Sequence, residues 1–326
     1  MEKNRRALLA AAGGILLAPG VDAQTPAWPT RAVKLIVPFT PGGSNDVLGR
    51  IVGQKLSEYW GQPVLVENRP GVGGNLGASL VAKAPADGYT LLVAPGNLLT
   101  INPFLYEKDK VGYDPVKDLA PISFMGVAPI VLAVNPKVPA QNVRELITLA
   151  SAKAGAVNYA SAGVGTPQHL SAELFASMAG VRLTHVPYKG AVPAITDLVG
   201  GLVQMMFGII NSLLPHIRNG AVRALGVGGR QSLAALPGVP PVADTLPGFL
   251  TDSWTGLMAP AGTPREVIAK VGQGIARALG EPDVREKLTA QGIEPTANSA
   301  AEFAAIIGTE TLRWAKVIKE TGARAE

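Results

Sequence analysis

Hydrophobic and polar positions along the chain follow two interleaved periods. Short apolar runs bounded by Gly, Pro, Asn or Asp read as strands at 33–38, 64–67, 90–94, 130–134, 157–162, 183–187, 205–207 and 223–227. Between most of them, apolar residues recur at three- and four-residue spacing, as with Val47, Leu48, Ile51, Val52 and Leu56. That alternation predicts an α/β protein of mainly parallel sheets wrapped by helices. Two cores fit better than one, because 326 residues at 47% hydrophobic exceed what a single domain usually needs. The segments near 120–126 and 226–229 read as crossings between sheets. They divide the chain into a first lobe from 24 to 124, a second from 125 to 225, and a return to the first lobe from 226 to 326. A double crossover makes a hinge, and a hinge over a cleft suits a closing binder. In the last hundred residues, Thr263 with Glu266 and Ser299 with Glu302 both match the capping box that starts a helix.

The N-terminus opens with Lys3, Arg5 and Arg6, continues through an apolar run at 7–18, and reaches Val21-Asp22-Ala23. This is the pattern of a secretory signal peptide over 1–23, with cleavage expected after Ala23 and a periplasmic destination. The run falls short of the ~18 apolar residues a membrane span needs. Arg5-Arg6 leaves the twin-arginine route open beside the general one. Loss of Lys3, Arg5, Arg6, Glu2 and Asp22 takes the net charge from +5 to +4. That excess is dispersed and aromatics are only 5%, so a nucleic-acid partner has no support. The absence of cysteine removes disulfides, thiolate zinc sites and a cysteine nucleophile together.

Two loops hold the candidate chemistry. In "KLIVPFTPGGSNDVLGR" a strand breaks at a glycine turn and resumes as a helix; "VNYASAGVGTPQHL" repeats the plan, with Thr166 placed to cap and Pro167 at a helical position that has no N–H to lose. Each loop offers free N–H groups and the positive end of a helix dipole, the physical basis of anion capture. One helix end contributes about 0.3–1 kcal/mol and one charge-assisted hydrogen bond about 1.5–3, whereas micromolar affinity needs about 8. Both lobes must therefore engage the same guest. A nucleotide reading fails on order: Gly71, Gly73, Gly74 and Gly77 do not give G-x-G-x-x-G, and they read instead as a turn that permits close backbone packing. No Gly-Lys-Ser/Thr or G-x-S-x-G sequence occurs, and His169, His185 and His216 lack metal-ligand spacing. A triad assembled from distant residues stays open. Singly, His169 reads as a loop brace or a ligand contact, Asp46 as a dipole-favoured first-turn acid or a ligand contact, Phe39 as a core residue or a cleft wall, and Lys189 as a solvated cation or a ligand contact.

Taken together, "VPFTPGGSND", "VENRPGVGGNLGA", "APADGYTLLVA", "NYASAGVGTPQHLSAELF", "VPYKGAVPAITDLVGG" and "GLMAPAGTP" resemble, over essentially the whole mature chain, the periplasmic solute-binding proteins of tripartite tricarboxylate transporters, the TctC or Bug family. The resemblance implies a two-lobed periplasmic-binding-protein (Venus flytrap) fold, no catalysis, no cofactor or metal, and capture of a small carboxylated solute between the lobes. It implies that Phe39, Pro41, Gly42, Gly43, Ser44 and Asp46 form the first-lobe site, and that Ser161, Ala162, Gly163, Gly165, Thr166 and His169 form the second. Asn97, Lys189, Gly190 and Asn211 would line the rest. The expected partners are a small organic acid, an amino acid or an amide, and membrane permease subunits, with the receptor itself a monomer. A signalling receptor in place of the permease, and a secreted α/β hydrolase, are the alternatives.

Overall fold

The computed structural model describes residues 28–321 and Ala325, so the signal-peptide expectation lies outside the described residues. The first stretch contains β1 (Val33–Val37), α1 (Ser44–Trp60), β2 (Val64–Asn68), α2 (Asn75–Ala82), β3 (Thr90–Pro95) and the short helices α3 (Gly96–Thr100), α4 (Asn102–Leu105) and α5 (Lys108–Val111). A long strand β4 (Leu119–Val134) leads into α6 (Val143–Ala152), β5 (Asn158–Ser161), α7 (Pro167–Ala179), β6 (Thr184–Pro187), α8 (Ala191–Gly200), β7 (Met205–Ile209), α9 (Ile210–Arg218) and β8 (Arg223–Val227). The chain closes with β9 (Asp252–Pro260), α10 (Arg265–Gly280), α11 (Pro282–Ala290), β10 (Glu294–Pro295) and α12 (Ala300–Thr321).

The strands run in the order β2-β1-β3-β9-β4-β7-β5-β6, with β10 and β8 also paired to β4. Two sheets share that one strand. Leu119 through Pro129 of β4 pair with β9, whereas Ile130 through Val134 pair with β7 and β8. Each sheet is mixed: β2-β1-β3 and β6-β5-β7 are parallel, while the pairs that involve β9 and β4 are antiparallel, which amends the mainly parallel expectation. The antiparallel pairs arise where β4 runs from the first lobe into the second and β9 brings the chain back beside it.

Each sheet is covered on both faces, as the buried apolar runs require. In the first lobe, Leu48, Val52 and Leu56 of α1 pack with Val271 and Ile275 of α10 on one face, and Ala78, Val81, Leu98 and Phe303 lie on the other. In the second, Val143, Leu146 and Phe175 cover one face, and Ala194, Leu198 and Leu213 the other. Burial of each such valine, leucine, isoleucine or phenylalanine stabilises the fold by about 1.5–3 kcal/mol. Leu236, Val242 and Phe249 belong to the second lobe's cores, although they follow β8. We therefore place the divides between Pro129 and Ile130 and between Thr251 and Asp252, in place of the expected 124/125 and 225/226. A fifth cluster joins the lobes: Leu170 of α7 packs with Ile101, Leu105, Trp314 and Ile318.

Of the two capping boxes, one forms. Ser299 Oγ accepts from the Glu302 N–H at 3.2 Å, and the Glu302 carboxylate accepts from the Ser299 N–H at 2.8 Å. Thr263 departs from expectation. Its hydroxyl donates to Pro260 O at 2.8 Å, and Pro264 becomes the cap residue of α10, so the Thr263 side chain is spent on the preceding turn.

Candidate ligand-binding site

A cleft of about 550 Å³, counted with the solvent at its mouth, opens between the lobes. Phe39, Thr40, Gly43, Ser44, Asn45, Pro95, Asn97 and Ser253 line it from the first lobe, and Ala162, Thr166, Pro167, Gln168, Gly190, Ala191, Ile209 and Ser212 from the second. Among these residues there is no charged side chain. The lining falls at helix starts: Gly43, Thr166, Gly190 and Ile209 are the cap residues of α1, α7, α8 and α9. The first N–H groups of a helix have no partner within it, so four helices of 9 to 17 residues turn unpaired donors and positive dipole ends toward one space. Pro95 and Asn97 add the start of α3.

The two principal loops share one construction. In the first, Gly42 takes φ +86°, open to glycine, and its N–H donates to Asp46 Oδ2 at 2.9 Å. In the second, Gly165 takes φ +77° and its N–H donates to His169 Nδ1 at 3.2 Å. In both, the third helical residue reaches back to the residue before the cap, and the first two helical residues, Ser44-Asn45 and Pro167-Gln168, face the cleft. This gives the amended places of the expected site residues. Phe39, Gly43, Ser44, Asn97, Ala162, Thr166 and Gly190 line the cleft.

Asp46 and His169 stand behind the cleft wall as braces. Burial pushes the Asp46 carboxyl up, but hydrogen bonds from Arg50, the Gly42 N–H and Asn68 outweigh it and hold the group below its ordinary 3.8. Burial, with His185 close by, pushes His169 down to about 3, and burial pushes His185 down to about 4. The two imidazoles stack at 4.2 Å and His185 stacks on Tyr159 at 4.7 Å. Ser161, fully buried, lies 2.7 Å from His185 Nε2 and accepts from the Gly163 N–H, so it shapes the loop from beneath. Gly163 carries the turn that Thr166 Oγ1 closes by donating to Gly163 O at 2.7 Å. Gly165 lies against the other lobe: a Cβ there would come within 2.7 Å of Leu105 Cδ2.

Pro41 and Gly42 are exposed outside the cleft, and Lys189 is exposed beside Gly190 without lining it. Asn211 also stands outside the lining, where its Oδ1 lies 3.5 Å from the Ser212 hydroxyl; Ser212 takes the place expected for it. Sequence reading passed over Thr40, Asn45, Pro95, Pro167, Gln168, Ala191, Ile209, Ser212 and Ser253. In α1 and α7 the available signal was position: the cap and the first two helical residues line the cleft and the third turns away, whereas in α9 the third residue, Ser212, lines it. Gly74 and Gly77, where the dinucleotide fingerprint fails, are packing glycines. A Cβ at Gly77 would lie 2.9 Å from Arg69 O, and one at Gly74 3.2 Å from the Phe39 ring.

Two α/β lobes joined by crossing strands, with helix starts converging on the cleft between them, define the class of two-lobed solute-binding proteins. The model of the tripartite tricarboxylate transporter family receptor matches residues 48–323. The chain belongs to that family and is a periplasmic solute-binding receptor. It is 37% identical over 325 residues to Protein BugT of Bordetella pertussis (strain Tohama I), covering 98% of this chain and 99% of BugT. Among solved structures, it is similar to R. palustris Rpa4515 with adipate (TM-score 0.87, 36% identity, 91% of this chain and 99% of that one). MatC (Rpa3494) from Rhodopseudomonas palustris with bound malate is also similar (TM-score 0.82, 33% identity, 89% and 99%).

Proposed function

We propose that this receptor captures a small carboxylate-containing metabolite in the interlobe cleft and presents it to the membrane permease of a tripartite tricarboxylate-type transporter. One observation carries the reading: four helix starts, that of α1 from the first lobe and those of α7, α8 and α9 from the second, converge on a cleft whose lining has no charged side chain. Such a site holds an anion by oriented neutral donors, and needs both lobes to reach useful affinity. Asn45 supports it, because its Oδ1 accepts from Thr255 Oγ1 at 2.6 Å and leaves its amide N–H groups uncommitted. Relatives whose structures hold adipate and malate support a carboxylate as the guest.

A thermal-shift screen with mono- and dicarboxylates of two to eight carbons tests the reading, followed by calorimetry on those that raise Tm. At least one acid should bind in the micromolar range or tighter and be recovered unchanged after prolonged incubation. Turnover of an ester or amide of such an acid would instead favour the hydrolase, and a panel of acids with no effect on Tm would reject capture. Delivery to a permease is tested by uptake of the labelled acid into vesicles that carry the permease, with and without added receptor.

A further inference from the structure

Among the described residues, five buried side-chain polar atoms lack a hydrogen-bond partner, and three of these, Ser44 Oγ, Asn97 Oδ1 and Gln168 Oε1, belong to residues that line the cleft. A buried polar atom left unpaired is costly, so each marks a place where a guest completes the bonding. Ser44 can donate or accept. The Gln168 amide has no hydrogen bond to fix which edge it presents. Asn97 differs, because its polarity is set.

Asn97 is 1% exposed, and its Nδ2 donates to Gly73 O at 3.1 Å and to Asn102 Oδ1 at 3.3 Å. Gly73 O is a backbone carbonyl and can only accept. It also accepts from Asn102 Nδ2 at 3.2 Å, and Asn102 Nδ2 donates to Asn75 Oδ1 at 2.7 Å. Asn75 Nδ2 in turn donates to a second backbone carbonyl, Lys110 O, at 3.4 Å. Two main-chain acceptors thus fix the orientation of all three amides. Turning Asn97 over would set its oxygen against Gly73 O and Asn102 Oδ1 with no proton between them. What remains unpaired on Asn97, a residue of the cleft lining, is an acceptor, in a site otherwise rich in donors.

We propose that Asn97 selects, among the carboxylates of the proposed function on which this inference rests, those that also carry a hydrogen-bond donor: a hydroxy acid, an amino acid or an acid amide. The carboxylate takes the helix starts, and the hydroxyl or N–H meets Asn97 Oδ1. A plain acid of the same length offers that oxygen no donor, and a site built around a polar partner rejects the analogue that lacks it.

Calorimetry on matched probes tests this: succinate against malate and aspartate, and adipate against 2-aminoadipate. The expected result is that at least one donor-bearing acid binds roughly tenfold or more tightly than its plain counterpart. In Asn97→Leu that ratio falls toward one. The ratio in the unsubstituted protein decides the matter even where the variant does not fold. Plain acids binding as tightly as their donor-bearing counterparts, or Asn97→Leu weakening both members of a pair equally, would overturn the selection while leaving carboxylate capture intact. Binding of no acid of either kind would remove both.

Discussion

The loop before α1 and the loop before α7 solve the same problem with different chemistry. Each must keep a glycine-rich turn in one shape so that the following helix start faces the cleft. The first uses an ionised carboxylate, Asp46, compensated by Arg50 and Asn68. The second uses His169, a neutral imidazole stacked on His185. A carboxylate tolerates the edge of the molecule because Arg50 beside it is half-exposed and solvent can share the charge. The second loop presses against Leu105 and Tyr106 of the other lobe, and Tyr106 Oη donates across to Val164 O at 2.8 Å. An uncompensated charge there would be costly to bury. The comparison teaches that side-chain charge is kept one layer behind the cleft or left out, so the lining itself stays neutral.

The largest effect should come from filling the space these loops share. Gly43 has φ −77° and open room beyond its Cα, so Gly43→Leu should keep the fold and lower acid affinity by roughly 100-fold, about 2.7 kcal/mol. Calorimetry beside a melting curve separates the two, and retained affinity would mean that the guest does not approach the α1 start. Removing the braces comes next. Asp46→Ala and His169→Ala should each lower stability in urea by about 1–3 kcal/mol, since each strands a backbone N–H; a loss below a few tenths in either would show that its loop holds shape unaided.

Acid sharpens the contrast. The ordinary histidine value is 6.5, and the folded values of His169 and His185 lie below it. Their contribution is complete above pH 6.5 and is lost as pH falls toward about 4 and then about 3, because the unfolded chain takes up protons that the folded chain refuses. The slope is up to ~1.4 kcal/mol per pH unit for each histidine. Asp46, held below its ordinary 3.8, contributes fully above that value and loses its effect only as pH drops further. Between pH 6.5 and 4, therefore, His169→Gln should flatten the stability profile and Asp46→Asn should not; chemical unfolding at half-unit steps reads this directly. The smallest effects fall on the rim. Thr166→Ala should cost about 1 kcal/mol through the lost cap, and Lys189→Ala, exposed and outside the lining, should leave affinity unchanged within error. Calorimetry that found Lys189→Ala the greater loss would reverse the view that neutral donors hold the guest.

Much of this architecture can be read from the chain alone, and its omissions have identifiable causes. The eight expected strands all form, because each is a short apolar run closed by turn residues. β9 was missed: its buried run has no alternation, and its place between β3 and β4 rests on pairings distant in sequence. β4 was expected only at its second-lobe end, since Pro121, Gly126 and Pro129 break the pattern upstream, and the strand absorbs them with register shifts near Pro121 and Gly126. The site loops were legible as loops. Which side chain in them turns inward depended on helix phase, which placed Asn45 and Gln168 in the lining and took Asp46 and His169 out of it. The histidine stack could not be foreseen, because it follows from the parallel register that sets His185 beside Tyr159.

The two passages between the lobes lie side by side, for Pro129 and Asp252 are direct partners across β4 and β9. The polypeptide therefore leaves and re-enters the first half through a single doorway. Residues 130–251 form a cassette with neighbouring ends, which a short bridge could replace. Exchanging it for another lobe of the same plan needs two junctions that lie next to each other, and leaves the other half's chain ends where they already are.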